Sequence, residues 1–315
     1  MPSNFAIFRS LDRIPPDFGP CALTIGNFDG VHAGHREIVR NVVQMARANG
    51  WKAAALTLDP HPLQVVAPDR APKLMSSALD RCEILREEGI DEVLILPFDE
   101  TISKMAPDAF IRDIVVNKLK ARAILVGKDF RFGHKHSGNT DLLAQLGPQL
   151  NFETILIPPV TLRGHRVSSS LIRQLVESGN VSRACRFLSR PFHVDGPVVS
   201  GQGIGSKQTV PTLNLAPGSG VIPKTGVYVT RTRDLASQRI WNSITNVGFR
   251  PTFDGQSLTI ETFLLDPVVT APTNIRVQFL LRLREERKFE TPEALKTQIL
   301  HDVKRAQNYF RRVPK

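Results

Sequence analysis

The chain has 315 residues, 41% of them hydrophobic and 23% charged, which excludes a disordered chain and leaves room for two domains with a core each. Its formal net charge of +11 fits nucleic acid, an acidic membrane surface, polyphosphate substrates or plain solubility, and the basic residues are spread along the chain. Cys21, Cys82 and Cys185 lie too far apart for a disulfide framework or cysteine metal site, no apolar run is long enough for a bilayer span, and Asp12 and Asp17 argue against a transit peptide, so a cytoplasmic protein is expected.

Ala22–Ile25 reads as a strand and Val31–Ala48 as a helix, with Ile38, Val42 and Met45 on one line and Val39, Val43 and Ala46 on the next. Lys52–Leu58 is a second strand, Leu79–Glu88 a helix, Glu92–Leu96 a strand and Pro107–Leu119 a helix with proline at its start. Ala123–Val126 and Thr154–Ile157 are two more short apolar strands. Such alternation predicts an α/β domain, a doubly wound parallel sheet whose ligands sit at the strand C-terminal ends. After about residue 186, prolines punctuate short β-type runs: Val194–Val199, Gly226–Arg231, Ile240–Val247, Leu258–Leu265 and Ile275–Leu283. These predict a mainly β domain, an antiparallel barrel or sandwich. A terminal helix over Pro292–Phe310 carries Leu295, Ile299, Val303 and Ala306 at helical spacing. The expected domains are 1–186 and 187–315.

Between the first strand and helix stands Gly26-Asn27-Phe28-Asp29-Gly30-Val31-His32-Ala33-Gly34-His35. A helix start binds anions, because its first N–H groups are unpartnered and carry the positive end of the dipole. His32 and His35 share one face of that turn. Gly26, Gly30 and Gly34 permit tight turns and close backbone approach to a phosphate. Half a metal site is the competing reading, but zinc proteases space their histidines differently, with a glutamate between, and no second ligand pair lies nearby. Ser168-Ser169-Ser170-Leu171-Ile172-Arg173 opens another helix after the last strand. Its hydroxyls and N–H groups suit phosphate oxygens, and its guanidinium can fork onto a polyphosphate. Alone, this segment would read as an N-cap cluster with a surface arginine.

Together the two segments resemble the nucleotidyltransferase superfamily, whose signatures are His-x-Gly-His and Ile-Ser-Ser-Thr-x-Ile-Arg; the second reads Val-Ser-Ser-Ser-Leu-Ile-Arg here, from Val167. The resemblance implies that His32 and His35 stabilise the α-phosphate of ATP during in-line attack. Arg173 would hold the phosphates that leave as pyrophosphate, with Gly26, Asn27, Phe28, Gly34, Ser168 and Ser169 around the ATP. Leu58-Asp59-Pro60-His61-Pro62 and Val126-Gly127-Lys128-Asp129-Phe130-Arg131-Phe132-Gly133 look like the loops of bacterial flavin adenine dinucleotide (FAD) synthetases. That likeness implies a flavin site lined by Asp59, Pro60, His61, Pro62, Asp129 and Phe130.

In the β domain, Gly201, Gly203 and Gly205 precede Pro211-Thr212-Leu213-Asn214. Alternate glycines make a loop able to cradle phosphates, and a hydroxyl and an amide oxygen are hard ligands suited to Mg²⁺. The segment resembles the Pro-Thr-Ala-Asn of riboflavin kinases, which implies Thr212 and Asn214 as metal and ATP ligands beside the three glycines. Asn246-Val247-Gly248-Phe249-Arg250-Pro251-Thr252-Phe253 and Glu261-Thr262-Phe263-Leu264-Leu265-Asp266 match two more kinase signatures, and the likeness makes Glu261 the catalytic base. Thr209, Val210, Leu213 and Ser189 depart from the usual residues of these segments. Over nearly its whole length the chain thus resembles the bifunctional riboflavin kinase/FAD synthetases. These use Mg²⁺ and ATP to turn riboflavin into flavin mononucleotide (FMN) and FMN into FAD. One alternative keeps the adenylyl transfer and makes the β domain a flavin-binding module with little kinase activity, as its altered loop permits. A more distant one is a basic nucleic-acid-binding protein, for which no reader motif is present. The expected partners are riboflavin, FMN and ATP, with no nucleic acid and no membrane.

Overall fold

Successive residues of the N-terminal strands face opposite layers, as a pleated strand requires. Leu23, Leu56, Leu94, Ile124 and Val126 are buried in one layer, and Ala22, Ala53, Ala55, Val93, Ile95, Ala123 and Leu125 in the other. A sheet apolar on both faces must be covered on both. The computed structural model describes residues 5–199, 212–216, 218–252, 255–267 and 271–313, with backbone alone at 250–252 and 255–257. Contacts divide it into two units, Met1–Ser169 and Ser170–Lys315.

The first unit contains β1 (Ala6–Phe8), β2 (Cys21–Ile25), α1 (Ala33–Asn49), β3 (Lys52–Asp59), α2 (Pro62–Val66), α3 (Ala78–Glu87), β4 (Glu92–Pro97) and α4 (Glu100–Lys104). It continues with α5 (Pro107–Ala109), which runs into a π-helical Phe110–Lys118, then β5 (Ala121–Gly127), α6 (Thr140–Leu150), β6 (Glu153–Ile157) and a small hairpin of β7 (Thr161–Leu162) and β8 (His165–Arg166). The sheet order is β1-β4-β3-β2-β5-β6, every pair parallel. The chain moves outward from β2 through β3 to β4, then resumes on the other side at β5. The switch point therefore lies beside β2, where open α/β sheets place their ligand crevice. Val39, Val42 and Ala46 of α1 and Cys82, Ile84 and Leu85 of α3 cover one face. Phe110, Ile111, Ile114 and Val115, with Leu143 and Leu146 of α6, cover the other.

The second unit begins with most of α7 (Ser169–Glu177), followed by α8 (Val181–Leu188), β9 (Phe192–Val199), β10 (Thr212–Leu215), β11 (Gly226–Asp234), β12 (Ile240–Thr252), β13 (Gly255–Leu264), β14 (Asn274–Arg284) and α9 (Pro292–Arg312). The strands close into an antiparallel barrel in the order β10-β13-β12-β11-β14-β9. Its interior holds a chain of hydroxyls as well as apolar groups: Thr232 to Ser243, Ser243 to Thr230, Thr230 to Thr245 and Thr245 to Thr262, at 2.7–2.9 Å. Val227, Val229, Ile244 and Leu283 form an outer cluster with Ala306, and Val303, Tyr309 and Phe310 of α9 pack against it. Leu295 and Ile299, on the first half of the same helix, stay exposed.

The packing division falls between Ser169 and Ser170, ahead of the boundary expected at 186/187. Hydrogen bonds explain this. The Ser182 hydroxyl donates to the Leu280 carbonyl at 3.0 Å and the Cys185 thiol to the Phe279 carbonyl at 3.4 Å, so α8 is fastened to β14. All three cysteines are free, as expected. Among the described residues no helix is long and apolar enough to cross a membrane.

Candidate active sites

The first site is built where β2 ends. The turn from Gly26 into α1 takes three residues through left-handed backbone: Phe28 (φ 49°), Gly30 (φ 75°) and Val31 (φ 35°). Strain at a phenylalanine and a β-branched residue persists only where surroundings hold it. Here the holding groups are visible. The Asp29 carboxylate accepts the Met75 N–H at 2.8 Å, and the Gly30 N–H donates to the Ser76 hydroxyl at 3.0 Å. The Ser169 hydroxyl donates to the Asp29 carbonyl at 3.0 Å. His32 then caps α1: its Nδ1 accepts the His35 N–H at 3.3 Å. The two imidazoles stack with centroids 3.7 Å apart and planes 11° apart, and the Phe28 ring meets His35 edge-on at 5.3 Å. Gly34 makes room, since a Cβ there would stand 3.2 Å from the His32 ring.

Such a pair serves phosphate better than metal. The His32 Nδ1 is already an acceptor for backbone, and the two parallel rings lie at the positive end of a helix dipole.

The structure brings together residues that the sequence placed in different substrate sites. The Asn27 side-chain amide lies 3.2 Å from Nε2 of His61. His61 is itself the cap of α2: its Nδ1 accepts the Leu63 N–H at 3.2 Å, and Gln64 Oε1 accepts the His61 N–H at 3.1 Å. Pro60 precedes that cap and Pro62 opens the helix. Phe28 is buried, so its contribution is support for His35. Ser169 opens α7, and its donor is engaged by Asp29; Arg173 lies about one turn further along that helix and is half-buried. Asp129 is ion-paired with Arg166 of β8. Phe130 stacks on Phe132 at 5.4 Å, and Phe132 contacts Phe110.

Sequence reasoning missed Thr57, Ser76 and above all Arg81, which is buried beside these loops. Arg81 sits at an inward position of α3 among Ala78, Cys82 and Leu85, and a charge on an apolar stripe was the available signal.

The second site lies on the outer face of the barrel. Register pairs Asn214 of β10 with Glu261 of β13, and Glu261 in turn with Asn246 of β12. Directly paired residues project to the same face. Thr212, two residues before Asn214, shares that face, while Leu213, Leu215, Ile260 and Thr262 point into the barrel and are buried. The Oδ1 of Asn214 is buried with no hydrogen-bond partner among the described residues. An orphaned amide oxygen beside an exposed threonine and a carboxylate is a donor set of the hard oxygen type that fits Mg²⁺. On the next row, a Cβ at Gly248 would collide with the Glu286 carboxylate, which therefore reaches over β12 towards the same face. The expected phosphate loop with Gly201, Gly203 and Gly205 lies outside the described residues.

Comparison with known proteins matches each unit. The family model described as FAD synthetase covers residues 14–171, and that described as riboflavin kinase covers residues 188–310. The chain is similar to the bifunctional riboflavin kinase/FMN adenylyltransferase of Escherichia coli K12, with 32% identity over 291 residues, 92% of this chain and 93% of that one. It is 33% identical over 303 residues to the protein of the same name from Pseudomonas fluorescens, covering 96% of each. A solved structure from Streptococcus pneumoniae, titled a macrolide-efflux protein, superposes with a TM-score of 0.85 at 26% identity, over 96% of this chain and 98% of that one.

Proposed function

We propose that this chain, which belongs to the family of bifunctional riboflavin kinase/FMN adenylyltransferases, works through the residues assembled in its two sites. It is an ATP-dependent transferase that phosphorylates riboflavin to FMN and adenylylates FMN to FAD. In the kinase unit Glu261 accepts the proton of riboflavin's primary alcohol as that oxygen attacks the γ-phosphorus of ATP. ADP leaves, and the phosphate ester is FMN. Thr212 and Asn214 would hold Mg²⁺, which when bound would neutralise charge on the nucleotide phosphates. In the sheet unit an FMN phosphate oxygen attacks the α-phosphorus of a second ATP. His32 and His35 donate to the oxygens of that phosphorus as charge grows on them, and Arg173 stabilises the departing pyrophosphate. No enzyme-bound intermediate is needed, so the protein's task is alignment and charge stabilisation. Asp59–Pro62 and Asp129–Phe130 would border the flavin.

The observation that carries this reading is the stacked pair of histidines on the first turn of α1 at the sheet's switch point, joined through Asn27 to the His61 loop. It supports a phosphate site with a second substrate loop beside it. We assign the kinase to 187–315, supported by the riboflavin kinase model starting at 188, with α7 and α8 packing as its base. The free thiols fit a reducing compartment, and we place the enzyme in the cytoplasm.

Chromatography of riboflavin with Mg-ATP tests both halves. Wild type yields FMN and FAD. His35→Ala stops at FMN, and Glu261→Ala makes no FMN but still converts supplied FMN to FAD. Loss of both activities from either change, in a folded protein, would falsify the two-site scheme.

A further inference from the structure

The loops that carry Asn27 and Asp59–Pro62 leave neighbouring strands, and one side chain from a third element holds both. Arg81 is 1% exposed, on the inward side of α3 and four residues after the N-cap Ser77. Its Nη1 donates to the Asn27 carbonyl at 2.5 Å, to the Thr57 hydroxyl at 3.1 Å and to the Leu58 carbonyl at 3.5 Å. Its Nη2 faces the Asp59 carboxylate at 3.5 Å, and its Nε donates to the Ser77 carbonyl at 3.4 Å. Thr57 adds a donor of its own to the Asn27 carbonyl at 3.3 Å. Burial pulls the guanidinium's pKa down, and Asp59 is the strongest acid opposing that. A buried cation is costly unless compensated. The compensation here comes from the Asn27, Leu58 and Ser77 carbonyls and the Thr57 hydroxyl, while the Asp59 carboxylate faces Nη2 as an ion pair without a hydrogen bond. Filling the stripe of Ala78, Cys82 and Leu85 would have required only an apolar residue.

We propose that Arg81 is the positioning residue for adenylyl transfer, anchoring Asn27 and Asp59 to one planar guanidinium and so setting the spacing between the ATP and flavin loops. The proposal rests on the adenylyl-transfer reading above. Arg81 touches neither substrate; it acts through the loops that do. A guanidinium suits the task because its fork addresses several acceptors in fixed directions, whereas an ammonium is a single point.

The test uses full-length wild type, Arg81→Lys and Arg81→Met, with FAD formation measured while FMN and ATP are varied in turn. Riboflavin phosphorylation by each preparation checks that the barrel is folded. In Arg81→Met the KM values for ATP and FMN both rise, by about tenfold or more for loss of charge-assisted bonds. Its kcat falls by about 10²-fold for misaligned reactants. Arg81→Lys recovers the KM of one substrate and not of both. An arginine serving stability alone would lower the thermal midpoint and the active fraction while leaving both KM values unchanged. That result in Arg81→Met, or recovery of both KM values in Arg81→Lys, overturns the proposal. Should Arg81→Met fail to fold, Arg81→Lys carries the test, and wild-type KM values for both substrates overturn it. Absence of FAD formation by wild type would instead refute the adenylyl-transfer reading, and this role with it.

Discussion

Replacing Gly34 with alanine separates the placement of the histidine pair from the stability of its helix. The new Cβ would stand 3.2 Å from both Cε1 and Nδ1 of His32, inside the roughly 3.5–4.0 Å at which carbon atoms rest. The ring must tilt by a few tenths of an ångström. Its Nδ1 bond to the His35 N–H is already 3.3 Å long, so the cap is lost. Losing an N-cap costs about 1 kcal/mol. Removing a glycine from the helix gains up to about 1 kcal/mol. These nearly cancel, and the thermal midpoint should move by less than about 3 °C. Activity has no such cancellation. A displacement of about 1 Å can cost about 10²-fold in rate, so roughly half of that costs about tenfold in FAD formation. Tenfold corresponds to ~1.4 kcal/mol in the barrier. The assay compares kcat/KM for FAD formation and for riboflavin phosphorylation in the same preparation. Unchanged FAD formation, or an equal fall in both reactions, would refute the reasoning.

Two further outcomes follow from the barrel unit. Thr230→Val removes the hydroxyl that bonds both Ser243 and Thr245, and should cost about 1–3 kcal/mol in denaturant unfolding. Thr232→Val, at the end of the chain with one such bond, should cost less, and equal losses would count against the hydroxyl chain. Residues 170–315 hold 21 of the 41 basic side chains but 11 of the 30 acidic ones, an excess of +10 against +1 for the rest. Raising ionic strength should therefore raise the KM for ATP more in phosphorylation than in adenylyl transfer. Parallel salt slopes for the two reactions would contradict this.

Most of the architecture was legible because its signals are local. Alternating apolar strands and helical lines marked the parallel sheet, and proline-punctuated β runs marked the barrel. What escaped depended on partners distant in sequence. The strand β1 is three residues long and exists by pairing with β4. Helix α6 contains Gly147 and Pro148, which read locally as a break; yet Gly147 is where Phe152 returns, its carbonyl only 2.7 Å from where a Cβ would sit. The stripe on α9 has uniform spacing, but only its second half meets the barrel. At the sites, the histidines stood out as chemistry on a short motif, and Glu261 only through the resemblance of its segment to a kinase signature. Arg81 showed in the sequence only as a charge on the apolar stripe of α3. Its role emerges only where the ends of β2 and β3 converge on it, and no spacing along the chain encodes that convergence.

The hydroxyl chain in the barrel has a consequence for protons. Thr232, Ser243, Thr230, Thr245 and Thr262 provide five O–H donors, but the chain they form has four bonds. Each hydroxyl can give one proton and accept two. Among the described residues the chain thus uses four of its five protons, and the fifth needs an acceptor outside the chain. It can belong to any of the five oxygens, because reversing the bonds on one side of it moves the surplus along without moving a heavy atom. The oxygens of this interior are fixed by the strands, while the oxygen positions leave the direction of each bond open.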